Sequence, residues 1–204
     1  MMNQFNPILA FWFEGLNDQS VIQDSPAAKK WFKKDFKFDA EIKERFEEEI
    51  INASCGKYRE WEASMRGRLA LIILFDQFSR NIYRNSPRAF ESDPLALNLT
   101  LRSLKERTDK DLSLIERTFL YMPLMHSENF TDQEFSVKYF GDLVGDSRAV
   151  SPQNVPYYEY SLDYARRHRD IIKQFGRFPH RNQILRRPST KEELAFLEMP
   201  GSSF

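Results

Sequence analysis

Cysteine is nearly absent: Cys55 is the one thiol in 204 residues. A lone cysteine cannot close an intramolecular disulfide, and without a CxxC pair there is no zinc-finger pattern. Its setting, "NASCGKY", carries no cluster of cations to favour a thiolate, so Cys55 is expected to be a half-buried residue near a helix end. Glycine is scarce too, at seven residues, with no GxGxxG, Walker loop or GxSxG among them. Classical nucleotide-binding loops and nucleophile elbows are thereby excluded. Long hydrophobic runs are missing: the longest, "LALIILF" at 69–75, falls far short of the roughly 20 residues a membrane span needs. The opening "MMNQFNPILAFWFEGLND" has no basic leader, so a cytoplasmic location with no membrane partner is expected. Charge of one sign is also lacking. Thirty basic residues balance thirty acidic ones, which removes the excess cation that general nucleic-acid binding relies on. No segment sustains the period-two alternation of a half-buried strand.

What remains is helical. Eighteen phenylalanines and 41% apolar residues supply a core large enough for a single domain spanning 1–204. Asn6-Pro7 and Ser25-Pro26 are cap-then-proline openings. Asp39 is placed to cap "AEIKERFEEEIINAS", where Ile42, Phe46, Ile50 and Ala53 share one face, and Gly56 is placed to stop it. The spacing predicts one long central helix over about 58–84, apolar on most sides. Asp93-Pro94 opens the next, and "DLSLIERTFLYMPLMH" carries Leu112, Ile115, Phe119 and Met122 on one side. Thr131 with Glu134, and Thr190 with Glu193, have capping-box spacing. Between them "VPYYEYSLDYARRHRDIIKQF" is a long helix ending near Gly176, preceded by the longest connector, 145–156, a candidate mobile loop. The fold class is all-α, with eight or nine helices in antiparallel pairs; no clean repeat of about 34–45 residues emerges.

Three segments concentrate the polar chemistry. In "DQFSRNIYR" Asp76, Arg80 and Arg84 are spaced by four and share a face, with Gln77 and Asn81 beside them. In "YMPLMHSENF" Pro123 perturbs a helix just before His126 and Glu128, at a terminal turn where the two can converge. From Tyr160 to Thr190 eight Lys or Arg face two Asp, while from Asp35 to Glu62 nine acids face five bases, so the two regions are expected to compensate each other. Arginines interleaved with phenylalanine in "FGRFPHRNQILRRPST" suit a carboxylate or phosphate, because guanidinium is a planar fork of donors. His126, His168 and His180 all lie in these segments, but no pair has the i, i+4 or HExxH spacing of metal ligands, so neither metal nor cofactor is expected.

The stretches "ILAFWFEG", "LALIILFDQFSRNIYRNSPRAFESDPLAL", "ERTFLYMPLMHSE" and "HRDIIKQFGRFPHRNQILRRPSTKEELAFLEMPGSSF" resemble, in order and over essentially the whole chain, a bacterial family known by its number, domain of unknown function 924. The resemblance implies an all-α fold similar to tetratricopeptide-repeat proteins, with helix pairs stacked into a right-handed superhelix. It implies no reaction. One departure is visible: glycine is expected before the R-x-ST element, and Arg186 stands there in "LRRPST".

Two functions compete, beside a purely structural reading in which all these polar groups are mutual clasps. The first is a non-catalytic binding module whose concave helical surface takes a peptide, a protein or a small anionic group, with Arg80, Asn81, Arg84, Arg177, Arg181 and His168 as ligand-binding candidates. The second is a hydrolase or lyase of a small anionic substrate. Here His126 or His180 would move protons and Glu128 or Asp76 would orient them. Oligomeric state is left open.

Overall fold

The computed structural model describes residues 4–202, and among them there are helices and turns but no strand. The helices are α1 (Asn6–Phe13), α2 (Pro26–Trp31), α3 (Phe36–Ser54), α4 (Met65–Ile72), α5 (Ser79–Ile82), α6 (Asp93–Glu106), α7 (Leu114–His126), α8 (Phe130–Val150), α9 (Val155–Phe175) and α10 (Lys191–Leu197). Proline occupies the first turn of α1, α2, α6 and α9, where its missing N–H has no intrahelical acceptor to lose. None of the described helices is long and apolar enough to cross a membrane.

The core is aromatic. Trp12, 1% exposed, sits among Trp31, Phe38, Phe78 and Phe119 with ring centroids 5.5–6.3 Å apart. Trp31 Nε1 donates to the Trp12 carbonyl at 2.9 Å, which pins α2 on α1. α7 is buried on every side from Leu114 to Met125, so the single apolar face expected of it is an underestimate.

The long helix expected over 58–84 is divided. Residues Arg59–Ala63 form a 3-10 turn, and Ser64 then caps α4 by accepting from Gly67 N–H at 3.1 Å. Gly67 is required, because a Cβ there would stand 2.1 Å from the Trp61 carbonyl oxygen. Past α4 the chain widens into a π-helical segment, Ile73–Phe78, before α5 resumes. Such wide turns re-aim side chains and recur at functional sites; Asp76 lies on this one.

Other expectations shift as well. Asp35, rather than Asp39, caps α3, accepting from Lys37 and Phe38 N–H. Asn129, rather than Thr131, caps α8, and an unforeseen capping box, Ser113 with Glu116, opens α7. Cys55 does end α3, but exposed instead of half-buried. The expected loop at 145–156 is mostly helix: α8 runs to Val150 and α9 starts at Val155. Its short connector is tied down across the molecule. Ser151 Oγ donates to the Asp18 carbonyl at 2.6 Å, Asn154 Nδ2 donates to the Ser20 carbonyl at 2.7 Å, and Ile22 N–H donates to Asn154 Oδ1 at 2.9 Å. So short a link makes α8 and α9 an antiparallel hairpin packed along its length.

Candidate functional site

The π segment, the end of α7, the start of α6 and the turn after α9 meet in one polar cluster. Asp76, 1% exposed, is its centre. Its Oδ1 lies 2.7 Å from His126 Nδ1 and 3.0 Å from Arg80 Nη1, and its Oδ2 accepts from Gln77 Nε2 at 2.6 Å. Arg80 also forks onto Asp93, Nη1 to Oδ1 at 2.8 Å and Nη2 to Oδ2 at 2.9 Å. Burial would raise the Asp76 carboxyl, but the Arg80 charge and the His126 ring outweigh it and hold Asp76 below the ordinary carboxylate range. Burial, then the neighbouring Arg80 charge, pushes His126 down from its ordinary value against the pull of Asp76. At neutral pH the pair is a carboxylate accepting from a neutral imidazole, whose Nε2 then keeps its lone pair. The His126 side chain retains 17% of its surface.

His126 owes its position to Gln133, wholly buried, whose Nε2 gathers the carbonyls of Leu124, Met125 and Ser127 at 3.3, 2.7 and 2.6 Å. Those are the orphan acceptors that a helix end leaves behind. No local motif in the sequence announces this clamp.

Arg181 approaches from the Pro179–Arg181 turn. Its guanidinium lies between the rings of Phe90 and Phe178, 4.7 and 4.5 Å from their centroids, and 3.7 Å from Asp93 Oδ2. It is buried, its Nε has no hydrogen-bond acceptor, and no hydrogen bond within the described residues reaches its other nitrogens. Burial, together with the Arg80 charge, lowers it to about 10. His168 stands behind, its ring centroid 6.3 Å from His126 and 5.5 Å from Phe178, with Nδ1 2.8 Å from the Tyr164 carbonyl. Burial, then the proximity of His126, takes His168 down to about 3; burial and Arg181 take His180 to about 4. Among the described residues no three His, Cys, Asp or Glu side chains converge as a metal-binding group.

The sequence profile of a bacterial protein family of unknown function, DUF924, matches residues 8–201. The chain belongs to this family. A solved structure, the protein of unknown function ATU0120 from Agrobacterium tumefaciens, is similar at 32% identity with a TM-score of 0.77, over 95% of this chain and 96% of that one. No curated protein matches.

Within this DUF924 chain the remaining candidates form separate clasps. Arg84 Nε and Nη2 hold the Asp39 carboxylate at 2.5 and 3.0 Å, and Asn81 Nδ2 joins them at 2.8 Å. Arg177 forks onto Glu193 at 2.6 and 2.8 Å, away from Asp76 and Arg80. Glu128 is gripped by Arg187 at 2.7 and 3.0 Å and accepts Phe178 N–H at 2.8 Å. Burial opposes ionisation of Glu128, yet Arg187 and that N–H hold it below its ordinary value, so it braces the turn that carries Phe178. Arg167, Arg169, Arg177, Arg181 and Arg187 of the basic stretch pair with Asp163, Glu134, Asp170, Glu193, Asp93 and Glu128, and none of these partners lies in the acidic region 35–62, the one expected to compensate the stretch. Asp93 was hidden in the sequence by its place in "SDP", where its local meaning is a helix start. A groove of about 610 Å³ lies elsewhere, beside Arg45, Tyr58 and Trp61, and none of the candidate residues lines it.

Proposed function

We propose that this chain is a non-catalytic binding module, a single domain of tetratricopeptide-repeat-like stacked helix pairs, which receives a small anionic group or the carboxylate of a peptide at the Asp76–His126–Arg181 cluster. The supporting observation is Arg181. A buried guanidinium with open N–H donors is costly unless something accepts from it. Arg84, Arg177 and Arg187 each already hold a carboxylate in a two-pronged grip. Arg181 has one carboxylate at 3.7 Å, shared with Arg80, and no hydrogen bond to it. His126 and His180 beside it are pushed down from their ordinary values, chiefly by burial, and so add no cation to the cluster at neutral pH. Phosphate, or a short peptide with a free C-terminus, titrated calorimetrically into the protein should bind. Arg181→Met should lose that binding, whereas Arg177→Met should keep it. Unchanged affinity in Arg181→Met would sink the proposal.

The alternative, a hydrolase or lyase of a small anionic substrate, draws on the Asp76–His126 pair. A buried carboxylate fixing the tautomer of a partly open imidazole is the arrangement of a general base. The two readings separate on His126→Ala: an enzyme keeps anion binding and loses turnover, while a binding module shows no turnover to lose.

A further inference from the structure

The corner between α2 and α3 turns apolar surface outward. Phe32 and Phe36, which bracket the connector, expose 64% and 72% of their surface, more than any other large hydrophobic residue described. The exposure is built in. Phe32 is held by a parallel contact with Phe119, centroids 6.4 Å apart, and by Trp31 at 6.3 Å. Phe36 is the first residue of α3, directly after the Asp35 cap.

Along 29–37, the stretch that carries these rings, the chain has Lys29, Lys30, Lys33, Lys34 and Lys37 against one acid, Asp35. Asp35 is occupied in capping α3, and the Phe38 and Lys37 N–H groups hold its carboxyl below the ordinary range. Lys30 pairs with Glu14 at 2.9 Å, and Lys29 donates to the Asp24 carbonyl at 3.2 Å. Lys34 rests over the Phe36 ring, 5.2 Å from its centroid. Lys33, Lys34 and Lys37 form no ion pair among the described residues. The chain is net neutral, so this cationic collar is a local feature.

We propose that this corner docks on an anionic lipid surface, with the Phe32 and Phe36 rings entering the boundary between headgroups and acyl chains and the lysines facing the phosphates. Exposed aromatics beside cations are what an interfacial anchor requires: apolar area to bury and charge to attract the leaflet. The cations are all lysines, since the first arginine of the chain is Arg45. A lysine stem lies along apolar surface while its ammonium stays wet, which suits a headgroup layer. Single-stranded nucleic acid is the poorer fit, because it is bound in basic grooves with successive stacking platforms and arginine, and this is a helix–helix corner. That no described helix spans a bilayer does not bear on a surface contact.

The test is co-sedimentation of the full chain, at low salt, with phosphatidylcholine vesicles and with vesicles also containing phosphatidylglycerol. At least about tenfold stronger partitioning onto the anionic vesicles is expected. Phe36→Ser, and separately Lys33→Glu with Lys34→Glu, should each weaken it about tenfold while leaving the thermal melt and the Arg181-dependent phosphate binding intact. In Phe36→Trp the new indole should shift to the blue on anionic vesicles and be quenched by brominated lipid. Equal partitioning onto both vesicles, none onto either, an unaffected Phe36→Ser, or preference for a single-stranded oligonucleotide or an acidic peptide would each overturn the proposal.

Discussion

Arg177 and Arg181 stand four residues apart in one basic stretch and end in opposite situations. Arg177 reaches Glu193 through Nε and Nη2 and the Pro188 carbonyl at 2.9 Å, which closes the C-terminal helix onto the turn. Arg181 lies over two phenylalanine rings, and among the described residues no hydrogen bond reaches its side chain. On a continuous helix the spacing would put both on one face. Gly176, in the left-handed conformation at φ 69°, ends α9 between Phe175 and Arg177, and Pro179 then opens a 3-10 turn. The two side chains therefore leave in different directions. A run of arginines announces charge; the backbone between them decides which charge is already neutralised and which stays open.

The largest expected effect tests whether the Arg181 side of this comparison also bears structural weight. Asp76 accepts from Gln77, Arg80 and His126 at once. Asp76→Ala would leave the cluster with one excess buried positive charge, and a loss of about 3 kcal/mol in denaturant unfolding is expected. Asp76→Asn, which keeps an acceptor for His126, should cost less. Equal stability of Asp76→Ala and wild type would show that the cluster is not a structural keystone, and would leave its open arginine the more pointed.

Much of this was legible from the sequence, and the failures have a common cause. The Thr190–Glu193 box and the Ser25 cap are encoded within four residues, and each forms; Pro7 does stand in the first turn of α1, but Asn6 is the first residue of that helix and not its cap. Asp76, Arg80, His126 and Arg181 could be nominated because they interrupt apolar segments. What could not be read were partners distant in the chain. Asp93, Phe90 and Gln133 carry local signals for a helix start, a core aromatic and a surface glutamine. Stretch 145–156 looks like a loop because Gly145, Ser147 and Ser151 are poor helix formers. Yet Ser147 Oγ satisfies the Val144 carbonyl, and Ser151 fastens to Asp18, 133 residues away.

Acid sharpens the comparison by giving each side its own pH window. Glu193 is drawn down to about 2, chiefly by the Arg177 hydrogen bonds and against the effect of burial. A carboxyl lowered on folding adds stability above its unfolded value, near 4.3, and that contribution disappears as pH falls towards 2. His168 and His180, at about 3 and about 4, are imidazoles kept neutral by burial, so the unfolded chain takes up protons first. Their contribution is complete above an unfolded value near 6.5 and is lost as pH falls through their folded values. Urea midpoints measured from pH 8 to pH 3 should thus begin to drop near 6.5 and steepen below about 4.5. His168→Gln should flatten the first limb and Glu193→Gln the second. A wild-type midpoint constant from pH 7 to pH 5 would contradict the buried neutral histidines.

The smallest effect concerns the backbone that carries both arginines and the clasp between them. Arg186 departs from the glycine that the family resemblance leads one to expect, and its φ is 54°, in the left-handed region where a side chain is strained. Its own side chain is exposed, and the neighbouring Arg187 makes the grip on Glu128. A non-glycine residue in that conformation costs roughly 1–2 kcal/mol, while glycine loses about 0.4–1 kcal/mol more chain entropy on folding. Arg186→Gly should therefore stabilise the protein by about 0.5–1 kcal/mol in the same urea titration, and phosphate affinity at Arg181 should not change. Arg187 N–H already donates to the Asn182 carbonyl at 2.8 Å, so the turn keeps its hydrogen bond whichever residue precedes it. If Arg186→Gly instead weakened anion binding, strain at this turn would be part of what holds Arg181 in its open position, and the separation between the clasp and the cluster would not stand.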